Sequence, residues 1–303
     1  MTKLLPESVW TAAAGRHRAR VQRFLADHSG DGQPHPVWDF LFTYYSLRPR
    51  QLLRWHPGYG AVLTGAAAGD YVGRTGYHRV EGGVTVSVAY RDSRLDTIEF
   101  IADLLSATAG RPAQHHCFGL HEWAMVYRSN DVRHRAVPLR LGQSGTDAVV
   151  DSMPLRCSHY DAYRFFTDPA APRNATRLTR DAQRSHEQPG CVHTNMDLYK
   201  WTYKLLPLLD STLLLDCLEL AAAARALDMR ASPYDLRDYG LDPIRIEEPA
   251  GRAEYVRLQS AISERSKPLR ATLIDRCRDL STGAKAGDFV ARTGYGNIGA
   301  ASG

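Results

Sequence analysis

Two consecutive helices are predicted by residues 195–230, NMDLYKWTYKLLPLLDSTLLLDCLELAAAARALDMR. The apolar residues of this segment recur at helical spacing, which favours helices at about 195–209 and 211–229. Asp210 and Ser211 stand between the two, and side chains of this kind cap the first turn of a following helix. The centre of the fold is therefore predicted to be a helical pair.

Apolar periodicity predicts further helices on both sides of this pair. Proline inside a helical pattern removes a hydrogen bond, so a break is expected near Leu47, before Pro49, and a bend at Pro268. Strands are expected at 84–88 and as short pieces within 137–150, around the Gly142–Gly145 turn, whereas residues 57–75 have a loop-like composition. The additional helices are predicted at 7–27, 37–55, 95–108, 159–167 and 252–280.

These patterns predict a mainly α protein with a small β element. No composition shift marks a linker, so residues 1–280 are expected to form a single globular domain, followed by a Gly-rich tail at 281–303. The segment AGDYVGRTGY at 68–77 matches AGDFVARTGY at 286–295 in eight of ten positions. With two copies and no third, the match indicates no solenoid, and the sequence assigns this repeat no role.

The composition is that of an ordinary soluble protein, with 44% apolar and 23% charged residues among 303. No apolar run reaches the roughly 20 residues that a bilayer span requires, and the N-terminus lacks a secretory pattern. We therefore expect a cytoplasmic protein without a membrane partner. The cysteines number five, an odd count without regular spacing, which argues against a disulfide framework.

The formal net charge is +5, a small excess for a chain of this length. Of the 38 basic residues five are lysine, and such a bias towards arginine often reflects a GC-rich genome. A nucleic-acid partner is therefore open but not favoured.

Histidines are concentrated in one part of the chain. Seven of the twelve lie between residues 115 and 193, together with Cys117, Cys157 and Cys191. Imidazole, thiolate and carboxylate groups bind metals or move protons near neutral pH. The chemistry of the protein is therefore expected in this block.

The favoured hypothesis is a metal-dependent enzyme that acts on a polar small molecule, with hydrolysis and oxidation both open. The cofactor would be a divalent transition metal, zinc or iron. The candidate ligands are four histidines, His116, His121, His159 and His193. The candidate catalytic groups, as ligand or general base, are the carboxylates Glu122, Asp161 and Glu187. The candidate substrate-binding residues are Lys200, Arg230 and Tyr234.

Two Cys-x-His pairs support an alternative metal site. Cys157 and His159 form one pair, and Cys191 and His193 form the other. In extended backbone, side chains two residues apart point to the same face, so all four could meet as a Cys₂His₂ set. This alternative predicts a non-catalytic protein with a structural zinc site.

Other chemistries are less well supported by the sequence. There is no G-x-S-x-G elbow, no Walker loop and no dinucleotide-binding glycine pattern after a strand. A metal-free acid–base site of His121, Glu122 and Asp161 stays open, as does a nucleophilic Cys117 or Cys191 beside a histidine.

Five segments carry a resemblance to a known family. They are FLFTYYSLRPRQLLRWHPG (40–58), CFGLHEWAMVYR (117–128), CSHYDAYRFFT (157–167), EQPGCVHTNMDLYKW (187–201) and LDMRASPYDL (227–236). Over roughly residues 36–275 the chain resembles actinobacterial proteins commonly labelled 3-methyladenine DNA glycosylase. The resemblance implies a DNA-base N-glycosylase activity without indicating the catalytic residues. In this alternative we expect Asp161 or Glu122 to activate water, and arginine and aromatic side chains to hold DNA.

Overall fold

A computed structural model describes residues 3–28, 34–129 and 137–283. The protein is 57% helical and has a small four-stranded sheet, which confirms the predicted mainly α fold with a small β element. His134, residues 284–303 and, with them, the second copy of the repeat lie outside the described residues.

The described residues form both long helices and helices of about one turn. None of these helices combines the length and the apolarity that a membrane span needs. In chain order they are α1 (Glu7–His28), α2 (Phe40–Thr43), α3 (Pro49–Leu52), α4 (Val88–Asp92), α5 (Leu95–Ala109), α6 (Leu120–Ala124), α7 (Gly142–Ser152), α8 (Tyr160–Tyr163), α9 (Gln183–His186), α10 (Val192–Lys204), α11 (Ser211–Arg230) and α12 (Pro249–Thr282).

The helical pair predicted from the sequence, α10 and α11, lies at the centre of the molecule. α11 packs against α10, α12 and α1, and its buried residues cover most of its circumference. One narrow stripe, which includes Thr212, Asp216 and Glu219, is not buried. The Asp210 side chain accepts hydrogen bonds from the backbone N–H groups of Thr212 and Leu213, both at 3.1 Å, and so caps α11 as predicted. Together with α5 and α12, these helices form the framework that carries the site.

The helix expected at 37–55 is broken into α2 and α3, as the proline predicted. Ser46, between the two, has a φ of 59°. Pro49 stands in the first turn of α3, where its missing N–H would have no partner inside the helix anyway. The proline in α12 behaves differently, because the helix continues through Pro268.

The small sheet has the strand order β1-β2-β4-β3, formed by β1 (Lys3–Leu5), β2 (Ala61–Leu63), β3 (Tyr77–Val80) and β4 (Gly83–Val86). β1 and β2 are parallel, whereas β4 is antiparallel to both β2 and β3. The sequence predicted β4 but gave no indication of β1 or β2. Each of these has three residues, too few for an alternating pattern, and β2 and the 3₁₀ helix Ala66–Tyr71 correct the loop prediction for 57–75.

The strands predicted at 137–150 are wrong. Residues Gly142–Ser152 form α7, and the presumed Gly142–Gly145 turn is its first turn. Thr146, Val149 and Val150 are buried at i, i+3 and i+4, which is the helical period, and α7 packs against α6.

Candidate metal centre

Histidine and carboxylate side chains meet in two adjacent buried groups. Within each group one potential ligand atom per residue lies within 4.8 Å of those of the other members, so each group could hold a metal ion. The first group consists of His121, Glu122, His193 and Asp228, and the second of His159, Glu187 and Asp197.

Helix α10 joins the two groups. His193 and Asp197 are four residues apart on it and therefore lie on one face, but each belongs to a different group. The His193 ring stacks on His159 with 5.3 Å between centroids and meets His121 edge-on at 4.5 Å. The three imidazoles thus form one row through the interior.

The second group has the spacing of metal ligands. His159 Nε2 lies 3.3 Å from Asp197 Oδ2 and 3.4 Å from Glu187 Oε1. Charge-assisted N–H···O bonds are shorter, about 2.7–2.9 Å. Four ligands at about 2.0–2.2 Å from a tetrahedral zinc ion stand about 3.4 Å apart. The two separations from His159 Nε2 therefore match the spacing of ligands around one ion, and they are long for hydrogen bonds between charged groups.

Neighbouring side chains hold the two carboxylates of this group. Gln183 Nε2 donates to Glu187 Oε1 at 2.6 Å, and the Tyr45 hydroxyl donates to Asp197 Oδ1 at 3.3 Å. Lys200 Nζ donates to Asp197 Oδ2 at 2.5 Å and to Asp161 Oδ2 at 3.0 Å. Lys200 thereby connects the buried group to Asp161, which lies nearer the surface.

The first group is held by direct hydrogen bonds. His121 Nε2 is 2.7 Å from Asp228 Oδ1, a normal charge-assisted distance. The guanidinium of Arg225 lies between the other two oxygens, 3.1 Å from Glu122 Oε1 and 3.5 Å from Asp228 Oδ2. Each group therefore contains two carboxylates and one paired cation, which is Arg225 in the first group and Lys200 in the second.

Burial and neighbouring charges shift the pKa values of His159 and His193 in opposite directions. Burial lowers the pKa of His159, but the carboxylates of Glu187 and Asp197 outweigh it and raise that pKa above the ordinary value. Burial together with the neighbouring His121 holds the pKa of His193 well below the ordinary value. His193 is therefore a neutral imidazole between two charged groups.

The buried charges do not balance without protons or a cation. Glu122, Glu187, Asp197 and Asp228 are all at most 5% exposed. Among the described lysines and arginines, Lys200 and Arg225 form salt bridges with them. Four negative charges and two positive ones give a net charge of −2. Either two protons on histidines or one divalent cation would neutralise it.

A cleft leads from the surface to this network. Its volume is about 630 Å³, and Asp161 and Lys200 lie in its wall. A smaller pocket of about 120 Å³ reaches Glu122, His193 and Arg225. The cleft is lined by four tyrosines and five cationic side chains, namely Tyr44, Tyr45, Tyr90, Tyr203, Arg94, Arg164, Arg180, Lys200 and Lys204.

Three residues predicted for the site lie elsewhere. His116 is half-buried and belongs to neither group. Arg230 donates to the carbonyl of Asp242 at 3.0 Å and pairs with Glu254 at 3.3 Å, because the end of α11 faces α12 there. Tyr234 is buried in a separate apolar cluster with Met229 and Leu236.

The cysteine and the histidine of each Cys-x-His pair face different parts of the interior. Cys191 is the extended residue before α10 and His193 is in the first turn of the helix, so the pair does not lie in the continuous extended backbone that the Cys-x-His hypothesis requires. Cys157 and Cys191 line a different cavity with Cys117, whereas His159 and His193 face the carboxylates.

Sequence reasoning did not assign roles to Asp197, Arg225 or Asp228. The i, i+4 spacing of His193 and Asp197 on a predicted helix could have placed Asp197 in the site. Arg225 and Asp228 interrupt an apolar helix at i, i+3, and a buried charge in such a run requires a partner. That partner, Glu122, is more than a hundred residues away in the sequence.

Comparison of the chain with protein-family models, with curated protein sequences and with solved structures finds no match. The fold and the site define a mainly helical protein with buried histidine–carboxylate groups that could hold a metal ion. Anything more specific has to be argued from the chemistry of these residues.

Proposed function

We propose that the protein is a metal-dependent hydrolase of a small anionic molecule, with zinc held by His159, Glu187 and Asp197. The proposal rests on the 3.3 and 3.4 Å separations within this group, which suit tetrahedral ligands better than hydrogen-bonded partners. Iron is the alternative ion, since it also accepts imidazole and carboxylate ligands. A bound zinc ion would supply a Lewis acid next to the cleft.

The cleft supports a substrate that combines an aromatic ring with negative charge. Tyrosine rings stack on planar groups, and arginine and lysine bind phosphate or carboxylate. Arg94, Arg180 and Lys204 line the cleft together with Tyr44 and Tyr203. A nucleotide has this combination of chemistry, and we infer that the substrate is nucleotide-like.

His193 and Asp161 are the protein groups placed for proton transfer. His193 is neutral and lines the inner pocket, and its Nδ1 has no hydrogen-bond partner among the described residues. Asp161 lines both the pocket and the cleft, where Lys200, Arg164 and Arg180 hold it. Glu122 is paired with Arg225 and is therefore better suited to orienting that arginine.

Metal analysis of the full chain, purified without a His-tag, tests the centre. His159→Ala and Glu187→Gln should each lose about one equivalent of zinc, because three protein ligands are the minimum for such a site. His116→Ala is the matched control, since His116 lies outside both groups. The proposal is overturned if the two site variants keep the metal content of the wild type.

Binding of AMP, measured by calorimetry, tests the substrate class. Arg180→Ala should weaken binding by about tenfold, the value of one charged hydrogen bond. Arg257→Ala, an exposed residue outside the cleft, should leave binding unchanged. Release of inorganic phosphate or of free base from a nucleotide panel then identifies the bond that is cleaved.

A DNA-base glycosylase of the 3-methyladenine type is the second candidate, and the inner pocket favours it. Aromatic side chains of Phe40, Tyr44 and Phe165 line this pocket together with the carboxylates Glu122 and Asp161. An extruded base needs such walls and a carboxylate, and the arginine-lined cleft outside would face the DNA. Salt-sensitive duplex binding with release of 3-methyladenine from alkylated DNA would favour this candidate, whereas AMP binding without duplex binding would exclude it.

A further inference from the structure

A third cavity, separate from the cleft and the inner pocket, lies on the other side of His121. Its volume is about 10 Å³, close to the room that one water molecule or small ion occupies. Three cysteines and one histidine line it, namely Cys117, Cys157, Cys191 and His121. All three cysteines are free thiols. Three sulfur ligands and one imidazole are a common set for structural zinc.

We propose that Cys117, His121, Cys157 and Cys191 bind one Zn²⁺ ion in tetrahedral coordination, as a structural site distinct from the His159 centre. This set differs from the one that the Cys-x-His pairs suggested, because Cys117 and His121 take the places of His159 and His193. It does not depend on the proposed enzymatic function.

The backbone before α6 brings the first two ligands together. Phe118 and Gly119 have φ values of 51° and 73°, so the chain turns sharply between Cys117 and His121. Cys117 Sγ is 3.5 Å from His121 Nδ1. In a tetrahedral site with Zn–S of about 2.3 Å and Zn–N of about 2.0 Å, neighbouring sulfur and nitrogen ligands are also about 3.5 Å apart.

Asp228 orients the imidazole for this role. Its Oδ1 lies 2.7 Å from His121 Nε2, so Nδ1 is the ring nitrogen left to face the thiols. Metal-binding histidines usually donate their other N–H to a carboxylate in this way. The 2.7 Å contact between His121 and Asp228 is therefore explained, because it orients the His121 ring so that Nδ1 can bind the zinc ion.

The backbones of the other two cysteines are held in place, one by the side chain of Asn174 and the other by the start of a helix. Asn174 Oδ1 accepts a hydrogen bond from the N–H of Cys157 at 2.7 Å, and its Nδ2 donates to the carbonyl of Cys157 at 3.0 Å. Cys191 immediately precedes α10. The three sulfur atoms do not all lie within 4.8 Å of one another, so the thiols would have to rotate to close on an ion.

Within the described part of the chain, buried polar groups without a hydrogen-bond partner lie beside the cavity. Two polar atoms near the cavity, the Tyr255 hydroxyl and Gln259 Oε1, have no hydrogen-bond partner among the described residues. A divalent ion would stabilise the thiolates, because it binds them in their deprotonated form.

X-ray absorption at the zinc edge tests the proposal on the wild-type full chain. The expected result is three sulfur ligands at about 2.3 Å and one nitrogen at about 2.0 Å. With the His159 centre also loaded, the average would show fewer sulfurs per zinc, and His159→Ala should restore the three-to-one ratio. Zinc with nitrogen and oxygen ligands alone, no bound zinc, or a disulfide between two of these cysteines would each overturn the proposal.

Cobalt substitution provides the second measurement. Co²⁺ added to the chelator-treated protein should give thiolate-to-cobalt charge-transfer absorption, which should decrease in Cys157→Ser and again in Cys157→Ser/Cys191→Ser. Cys277→Ser, at a buried cysteine of α12, is the matched control and should keep the full absorption. Asp228→Asn should weaken zinc binding by about 10- to 100-fold with the sulfur ligands retained. Full absorption in the folded double variant would contradict the assignment.

Discussion

At the scale of single residues, Asn174 connects the two candidate metal sites. Its side chain makes three hydrogen bonds, two with the backbone of Cys157 and one with the carbonyl of Thr176 at 2.7 Å. Cys157 faces the thiol cavity, and His159, two residues later, faces the carboxylates. One buried amide therefore positions the backbone from which both candidate sites take a ligand.

Replacement of Asn174 by alanine should destabilise the protein by about 2–3 kcal/mol, because buried backbone groups of Cys157 lose their partners. Urea unfolding with zinc present measures the loss. Asn174→Asp keeps the acceptor for the Cys157 N–H but removes both donors, so an intermediate loss is expected. Equal stability of the wild type and the alanine variant would show that the loop does not depend on this amide.

Arg225 is the second residue whose removal has a defined consequence. It is 2% exposed and pairs with Glu122 and Asp228. Arg225→Met should cost about 3–5 kcal/mol, since removing one partner leaves a buried charge uncompensated. Chemical unfolding should show that Glu122→Gln restores part of this loss in the double variant. If the two substitutions are additive, Arg225 and Glu122 do not interact energetically.

Local sequence patterns predicted which histidines lie in the site, but they did not predict which residues group together there. The clustering of histidines in one segment predicts His121, His159 and His193 as ligands, and the structure places all three in one row. No local pattern predicts Asp228, because its role depends on the contact of α6 with the end of α11. His116 is in the same cluster of the sequence, but it precedes the turn at Phe118 and Gly119 and stays half-buried.

At the scale of secondary-structure elements, His56 joins the sheet to the helices. Its backbone N–H donates to Ser211 Oγ at 2.8 Å, at the start of α11, and its carbonyl accepts from the Ser211 N–H at 3.0 Å. His56 Nδ1 lies 2.9 Å from the hydroxyl of Tyr77 on β3. Burial lowers the pKa of His56 from 6.5 to about 3, so the joint is built around a neutral imidazole.

The stability of the protein should therefore decrease in acid through His56. Between pH 6.5 and about 3 the unfolded chain binds a proton at this residue that the folded protein excludes. Unfolding consequently becomes easier as the pH falls, by about 1.4 kcal/mol per pH unit. Urea unfolding over this range should show a smaller slope for His56→Asn. His78→Asn, at an exposed position of β3, is the control and should keep the wild-type slope.

Long helices were predictable from the sequence, and short elements were not. α5, α10, α11 and α12 have enough turns for apolar periodicity to define them, and their predicted bounds agree within a few residues. α7 was mistaken for strands because two glycines and a serine in its first turn resemble a hairpin turn. β1 and β2 form because they pair with each other, which no local pattern in three residues can indicate.

At the scale of the whole molecule, the two candidate sites draw on distant parts of the chain. Residues 117–122, 157–161, 187–200 and 225–228 contribute to them. Before folding, these segments are separated by long stretches of chain. An ion that takes its ligands from three of them in the thiol site, or from two of them in the His159 centre, therefore binds the folded state selectively. Metal binding should consequently contribute to global stability as well as to chemistry.

Removal of bound metal should therefore lower the unfolding temperature of the entire described domain. With free zinc at about 1,000 times its Kd, binding to the folded state alone contributes about 4 kcal/mol, which amounts to a shift of several degrees. Thermal unfolding before and after chelator treatment measures it, and added zinc should restore the original temperature whereas added magnesium should not. In the double variant Cys157→Ser/Cys191→Ser, the change in unfolding temperature on metal removal should decrease to the contribution of the His159 centre. A protein that loses its zinc to the chelator and unfolds at an unchanged temperature would show that neither site stabilises the fold.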